Sequence, residues 1–587
     1  MIKMNNSFQL QGIGVSPGIS IGSAKLVRHR EARVTEVLLA DEAAVEQEVE
    51  HYKQAVRASV EEIMAIMAGA GKDGAEILDI QIELLQDPQW ETDVLGKIRA
   101  EKKNAGDAVL EVMEQLMGMF AAMDDEYLRA RAADIADIGR RVLKNLSGGI
   151  GLGEAAAGDG GAVGDGGAAE RDLILVAVDL SPSELISLDR GRVKGFVTRA
   201  GGRTSHAAII ARLKSLPAVV GCGESLDAIA DSDILALDGE TGVVLVNPGP
   251  AELEGYDKKR SAHLANIRLL QTLKDKEATT TDGIGILLSA NIAGPGDMEL
   301  ALSQGARGVG LLRTELLFME SGSLPTEDEQ FTFYKNVLLR SEGWPVTIRT
   351  LDIGGDKQLP YLPLPKEENP LLGVRAIRIS LDRKELFLAQ LKAILRASHY
   401  GKCRIMLPMI STVQEIRQAR AFVDEAKAEL DRRKIDYDPQ IKTGIMIEVP
   451  AAAITADQLA KEADFFSIGT NDLCQYTLAV DRMNEKIKDL YDPFHPAVLR
   501  LIRYVIDQGR RHNIPVGMCG ELAGDPLATL MLVGMGLDEF SMNAPSIPVI
   551  KNIILQNSGE RARAIWEKVA EMNRSVDIIA YLKGIEK

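Results

Sequence analysis

The sequence predicts a multidomain α/β protein: a small α/β domain interrupted by an all-helical block, then a linker helix, then a C-terminal (β/α)8 TIM barrel. Three observations lead there. The chain has 587 residues, more than one hydrophobic core ordinarily organises. Beyond about residue 280, eight apolar strand-like runs alternate with helical ones. Between residues 41 and 147 the apolar period becomes that of a helix, and Pro and Gly thin out.

Residues 8–27, FQLQGIGVSPGISIGSAKLV, read as short strands punctuated by Gly and Pro. Within the helical block, DDEYLRARAADIADIGRRVLKNL (124–146) is one amphipathic helix opened by Asp124. The tract GLGEAAAGDGGAVGDGGAAE (151–170) holds nothing to build a core from, so 148–170 is expected to be a flexible segment. Strand patterns resume with LILVAVDL (173–180), GFVTRAGG (195–202) and PAVVGCG (217–223). LALDGETGVVLVNPG (235–249) reads as a hairpin around a Gly turn. The simplest organisation joins 1–40 to 171–248 as one α/β domain interrupted by helical 41–147. Residues 249–279 are charged, lack a strong apolar face and read as the linker helix. The barrel takes 280–587, with strands expected at 284–292, 306–312, 345–351, 403–409, 442–449, 463–469, 513–519 and 537–542. A doubly wound open sheet is the competing arrangement, with the same rhythm but no closure.

Lys and Arg total 68 against 85 Asp and Glu, a net charge of −17. That balance argues against nucleic acid, whose phosphates need a basic footprint, and suits a protein partner that is basic around its contact surface. The four cysteines, Cys222, Cys403, Cys474 and Cys519, are far apart and form no C-x-x-C pair. Neither a disulfide framework nor a zinc site is expected, and a reducing, cytoplasmic setting is. The opening MIKMNNSFQLQG lacks the apolar centre of a signal peptide, and no apolar run is long enough to insert in a membrane.

Barrel chemistry is carried at the C-terminal ends of the strands. There the expected strands offer Arg313, Arg349, Glu448, Asn471, Asp472 and Cys519 in turn, with Arg375 after the third and Arg482 after the sixth. Converging guanidinium groups suit a polyanion, because their planar forks bind phosphate and carboxylate bidentately. Glu448 and Asp472 beside such an anion suit Mg²⁺, which takes one or two protein carboxylates and completes its shell with substrate oxygens and water. Asn471 can donate to a phosphate oxygen, and the Cys519 thiol can hand a proton to a carbanion or enolate. One arginine at a strand end is an ordinary ion-pair partner. The regular recurrence of these residues after successive apolar runs is what a solvated face does not produce.

GFVTRAGGRTSHAAIIARLKSLPAVVGC (195–222) reads as strand, Gly turn, helix, strand. Thr204 or Ser205 can cap the helix, placing His206 in its first turn, where free N–H groups favour an anion such as a phosphoryl group. Arg203 could steady that phosphate, and Ser181 could hydrogen-bond the imidazole. The competing account is a capped helix bearing a satisfied structural histidine.

GGRTSHAAIIAR, LLRTELLFM, RTLDIGGDKQLPY, ENPLLGVRAIRIS, IMIEVPAA, FFSIGTNDLCQYTLAVDR and GMCGELAGDP together resemble the phosphoenolpyruvate-utilising enzyme family, in order and over nearly the whole length. Within it the chain is similar to Enzyme I of the bacterial sugar phosphotransferase system. The resemblance implies that His206, on a swivelling domain, is phosphorylated from phosphoenolpyruvate, releasing pyruvate. It implies that Arg313, Arg349, Arg482 and Asn471 hold the substrate with Arg375 nearby, that Glu448 and Asp472 bind Mg²⁺, and that Cys519 protonates the enolate. It further implies that block 41–147 docks an HPr-type carrier and that the barrel forms a homodimer. Pyruvate,phosphate dikinase and phosphoenolpyruvate synthase would need a nucleotide-binding domain for which this chain has no room. A nitrogen-related Enzyme I would carry an N-terminal sensory domain, whereas here the first strand starts by residue 8. A non-catalytic phosphoenolpyruvate sensor is the alternative from another class. The chain departs from the family pattern in the length of 151–170 and in Cys474, which stands where Thr is expected.

Overall fold

The computed structural model describes residues 7–27, 38–67, 72–121, 126–147, 172–189, 191–202, 205–214, 216–319, 321–354, 359, 361–365, 367–482, 484 and 486–585. The expected flexible segment 148–170, together with Arg203 and Thr204, lies outside these residues.

The first part of the chain builds a mixed eight-stranded sheet from β1 (Phe8–Gln11), β2 (Ile13–Ser16), β3 (Ile19–Val27), β4 (Leu173–Ala177), β5 (Val193–Thr198), β6 (Ala218–Val220), β7 (Ile234–Asp238) and β8 (Val243–Val246). Its order is β1-β8-β7-β3-β4-β5-β6-β2. Side chains alternate across a strand, so Ile174 and Val176 enter the core on one face while Leu175 and Ala177 enter the core on the other. The second of these faces is covered by α7 below. The β7–β8 hairpin is antiparallel. Its Gly242 has φ +76° and lies so close to the Gly12 carbonyl that a Cβ would sit 2.3 Å from that oxygen, so only Gly fits.

The sheet is interrupted between β3 and β4, which nevertheless pair in parallel, Ser23 opposite Leu173 through Val27 opposite Ala177. Between them come α1 (Glu42–Met67), α2 (Lys72–Leu85), α3 (Pro88–Ala100), α4 (Ala105–Ala121) and α5 (Glu126–Leu146). Val45, Val49, Tyr52 and Ile63 of α1 meet Val94 and Ile98 of α3, Val109 and Val112 of α4, and Ile138 and Val142 of α5 in one buried core. Spacings of three and four residues put these groups on one face of each helix. After β4 come α6 (Pro182–Ile186), α7 (His206–Leu213) and, past the sheet, α8 (Pro250–Thr272), in which Tyr256 alone is buried. The chain divides into two compact units, Met1–Asn266 and Ile267–Lys587, and the division falls within α8.

In the second unit, β9 (Leu287–Ile292), β10 (Val309–Leu312), β11 (Val346–Arg349), β12 (Cys403–Leu407), β13 (Lys442–Ile447), β14 (Phe466–Ile468), β15 (Val516–Met518) and β16 (Glu539–Met542) all pair in parallel. β16 returns to β9, Glu539 opposite Leu287 through Met542 opposite Ala290, and closes the barrel. That closure decides against the open sheet. Every strand candidate is present, because strands covered on both faces must be apolar throughout, as in the fully buried VGLL of β10. Lys551, 1% exposed, donates to the carbonyls of Lys274 and Gly305 and so ties the segment after α8 to the barrel.

Candidate active site at the barrel mouth

The C-terminal ends of the barrel strands converge on a cavity of about 760 Å³. Arg313 follows β10, Arg349 ends β11, Glu448 follows β13, and Cys519 follows β15. Asn471 and Asp472 open the helix Thr470–Leu478, and Arg482 lies just past it. Arg375 arrives from an irregular segment pinned by a bridge to Gly354. All eight line the same cavity.

Two of the arginines, the buried Arg375 and the partly buried Arg349, are already paired. Arg349 Nη1 lies 2.8 Å from Asp352 Oδ2, and its Nη2 donates to Glu315. Arg375 Nη2 donates to Asp352 Oδ1 at 3.0 Å, and its Nη1 to the Tyr476 hydroxyl at 3.2 Å. One carboxylate, Asp352, therefore holds both guanidinium groups side by side. Their Nε atoms are buried and have no hydrogen-bond partner among the described residues. Arg313 and Arg482 are exposed at the cavity wall. Asn471 is engaged reciprocally with Glu521: its Nδ2 donates to Glu521 Oε1 at 3.1 Å and its Oδ1 accepts from Glu521 N–H at 2.9 Å.

Burial, reinforced by Asp472 and Asp352, pushes the Glu448 carboxyl up to about 8, although Arg349 and Arg375 pull the other way. Its Oε1 accepts the Met409 N–H at 2.5 Å. Burial likewise pushes the Cys519 thiol up to about 11 against the pull of Arg349 and Arg313. The thiol thus stays protonated at neutral pH, the state a proton donor needs.

The lining carries Glu315, Asp352, Glu448, Asp472, Asp481 and Glu521 against four arginines. Such a site repels a multiply charged anion unless a cation joins it. Among the described residues no group of three His, Cys, Asp or Glu side chains is arranged to hold a metal. The pair Glu448 and Asp472 nevertheless fits Mg²⁺: both donors are hard carboxylate oxygens, and two protein ligands leave room for substrate oxygens and water. Glu448 is also a buried carboxyl beside Asp472 and Asp352, a concentration of negative charge that a divalent cation would neutralise.

Asp352, Glu315 and Tyr476 were not singled out from the sequence. Asp352 stands three residues beyond Arg349 in RTLDIGGDK and Glu315 two beyond Arg313 in LLRTE, so the motifs contained them. What was missing was the bridge between Gly354 and Arg375 that brings Arg375 onto Asp352.

In the first unit, His206 is the first residue of α7, and the N-cap is Ser205, whose hydroxyl accepts from Ala208 N–H at 3.3 Å. The imidazole Nδ1 lies 3.8 Å from Oδ1 of Asp134, a buried residue of α5. Ser181 has a different place from the one expected: it is the N-cap of α6, its hydroxyl accepting from Glu184 N–H at 3.4 Å and lying 3.2 Å from Ser183 Oγ. Asp134 is the group the imidazole meets instead. The helical block thus contributes to the histidine's surroundings, which the sequence alone did not indicate. Ser183 continues the contact by donating to Asp137 Oδ2 at 2.9 Å.

A barrel mouth that gathers arginines, paired carboxylates and a protonated thiol, on a chain whose other sheet presents a histidine at a helix start, is the arrangement of an enzyme handling a small phosphorylated acid. Three segments match the PEP-utilising enzyme family: residues 11–131 its N-terminal domain, 169–242 its mobile domain and 268–558 its PEP-binding domain. The chain belongs to that family, in its phosphoenolpyruvate-protein phosphotransferase branch. It is 44% identical over 578 residues to the phosphoenolpyruvate-protein phosphotransferase of Bacillus sp. (strain S), covering 98% of this chain and 97% of that one. The enzyme of the same name from Geobacillus stearothermophilus is also 44% identical over 578 residues, with the same coverage. The one from Bacillus subtilis (strain 168) is 43% identical over 579 residues, 98% of this chain and 99% of that one. No helix among the described residues is long and apolar enough to cross a membrane.

Proposed function

We propose that the chain is a phosphoenolpyruvate-protein phosphotransferase that phosphorylates its own His206 and passes the phosphoryl group to a histidine on an HPr-type carrier, the first step of phosphotransferase-dependent sugar uptake. The convergence of Arg313, Arg349, Arg375, Arg482, Glu448, Asp472, Asn471 and Cys519 on one cavity carries this reading. Full-length similarity to enzymes bearing that name supports it.

The arginines hold the phosphate and carboxylate of phosphoenolpyruvate and stabilise charge on the transferring group, the dominant contribution in phosphoryl transfer. Glu448 and Asp472 would hold Mg²⁺, which when bound offsets negative charge on the phosphate. His206 Nε2 bonds to phosphorus as the bond from phosphorus to the enol oxygen breaks. Asp134 beside Nδ1 suits this choice of nitrogen, since a carboxylate there favours the tautomer with its proton on Nδ1. The electron pair left on the enol oxygen becomes the carbonyl of pyruvate as C3 takes the Cys519 proton, and the thiolate is left near Arg349 and Arg313.

His206 and the cavity belong to different compact units, so the domain of 1–40 plus 171–248 swings between barrel and carrier, with 249–279 as its connection to the barrel. The helical block 41–147 docks the carrier. The barrel forms the homodimer. Four free, buried cysteines accord with a reducing cytoplasm.

Intact mass after incubation with phosphoenolpyruvate and Mg²⁺ tests the first half. One added phosphoryl group is expected on the wild type and none on His206→Ala, which should bind phosphoenolpyruvate with unchanged affinity. Substrate binding without added mass in the wild type would favour a sensor.

A further inference from the structure

We infer that Asn291 and Ser541 are positioning residues for Cys519, fixing the face of the enolate that receives its proton. This rests on Cys519 being the proton donor, as proposed above. Where the thiol points depends on how the backbone of Cys519 is held. On one side its N–H donates to the Ile468 carbonyl at 3.0 Å, prolonging the β14–β15 pairing. On the other side the β15–β16 pairing stops at Met518 opposite Phe540, one residue short of Cys519. The Cys519 carbonyl is instead taken by a side chain from two strands away: Asn291 Nδ2 of β9 donates to it at 3.0 Å.

An amide can present either its oxygen or its nitrogen, and here the Cys519 carbonyl, which only accepts, requires the nitrogen. That leaves Asn291 Oδ1 to accept from the Ser541 hydroxyl, on the intervening strand β16, at 2.6 Å, and this second bond holds the amide in place. Ser541 is 1% exposed. A purely architectural role does not account for the relay. The seam between β16 and β9 is already closed by pairing over Glu539–Met542, and the second bond of Asn291 goes past β16 to the residue carrying the thiol. Asn291 and Cys519 also line a second cavity of about 550 Å³ that adjoins the first through Arg313, Asn471 and Glu521. A donor displaced by about 1 Å from a reacting carbon forfeits roughly a hundredfold in rate, and a loosely held one loses its facial preference.

The test uses phosphoenolpyruvate labelled at C3 with one hydrogen isotope in a single geometry, turned over by the full-length protein in water of a third isotope. Methyl configuration of the pyruvate is then read. The wild type should give one configuration. Asn291→Ala and Ser541→Ala should both give mixtures, with pyruvate formation lowered about 10–100-fold and phosphoenolpyruvate affinity within about twofold of wild type. Ser541→Ala keeps Asn291, so it carries the test if Asn291→Ala fails to fold; thermal unfolding checks both. Wild-type configuration and turnover in the variants would overturn the inference. If Cys519→Ala also kept a single configuration at full rate, the error would lie in the assignment of the donor itself.

Discussion

At the scale of single residues, burial sets the state of the group that gives up a proton. The Cys519 thiol is held at about 11, against roughly 8.5 for a free cysteine. Because folding favours the protonated form, its contribution to stability is complete below about pH 8.5 and is lost as pH rises through about 11. Only the thiolate reacts with iodoacetamide. In the absence of substrate and Mg²⁺, alkylation of Cys519 followed by peptide mass mapping should accelerate about tenfold per pH unit from pH 7 to 10. A rate that levels off near pH 8.5 would mean an ordinary, solvated thiol. The place of Cys519 at a strand end could be read from GMCGELAGDP, but a cysteine after an apolar run is ordinarily a small buried hydrophobe, so its role came from the resemblance. Asp352 could not be read from the sequence, since its importance lies in touching Arg349 and Arg375 at once, and Arg375 is brought there by its bridge to Gly354. Ser181 illustrates the opposite error: the side chain is polar and close in sequence to the histidine's sheet, but local capping of α6 claims its hydroxyl.

At the scale of elements, the strands were legible because a barrel buried on both faces leaves a plain apolar signature, and their ends were legible because chemistry accumulates there. How closely two strand ends approach was not legible. Gly520 shows the consequence. Its backbone φ of −77° is open to any residue, yet a Cβ there would lie 1.9 Å from Thr470 Oγ1 and 2.5 Å from Thr470 N. The end of β15 therefore packs directly on the start of the helix that presents Asn471 and Asp472. In Gly520→Ala the collision involves backbone, so relief must come from parting these two elements and thus Cys519 from Asp472. The expected result is at least a tenfold loss of phosphoenolpyruvate affinity, measured by calorimetry, with stability lowered by about 1–3 kcal/mol, the usual cost of overpacking. Wild-type affinity in this variant would show that the two strand ends need not stay in contact for binding.

At the scale of the whole molecule, charge separates the two halves of the proposed reaction. The chain carries a net −17, and in the proposed reaction its carrier meets this surface in every turnover. Encounter between an acidic protein and a carrier basic around its reactive histidine is steered by long-range attraction, which salt screens beyond about 8 Å at physiological ionic strength. As proposed, transfer from phosphoenolpyruvate to His206 needs no partner protein and has no such encounter to lose. Raising NaCl from 50 to 500 mM should therefore lower kcat/KM for the carrier about tenfold or more. Single-turnover phosphorylation of His206, followed by intact mass at saturating phosphoenolpyruvate and Mg²⁺, should change less than twofold. Equal sensitivity of both steps would place the salt effect in the substrate site, where arginines and carboxylates crowd together, and would remove the case for a basic docking face on the partner. Insensitivity of both would mean that docking rests on the apolar and hydrogen-bonding surface of the helical block rather than on charge.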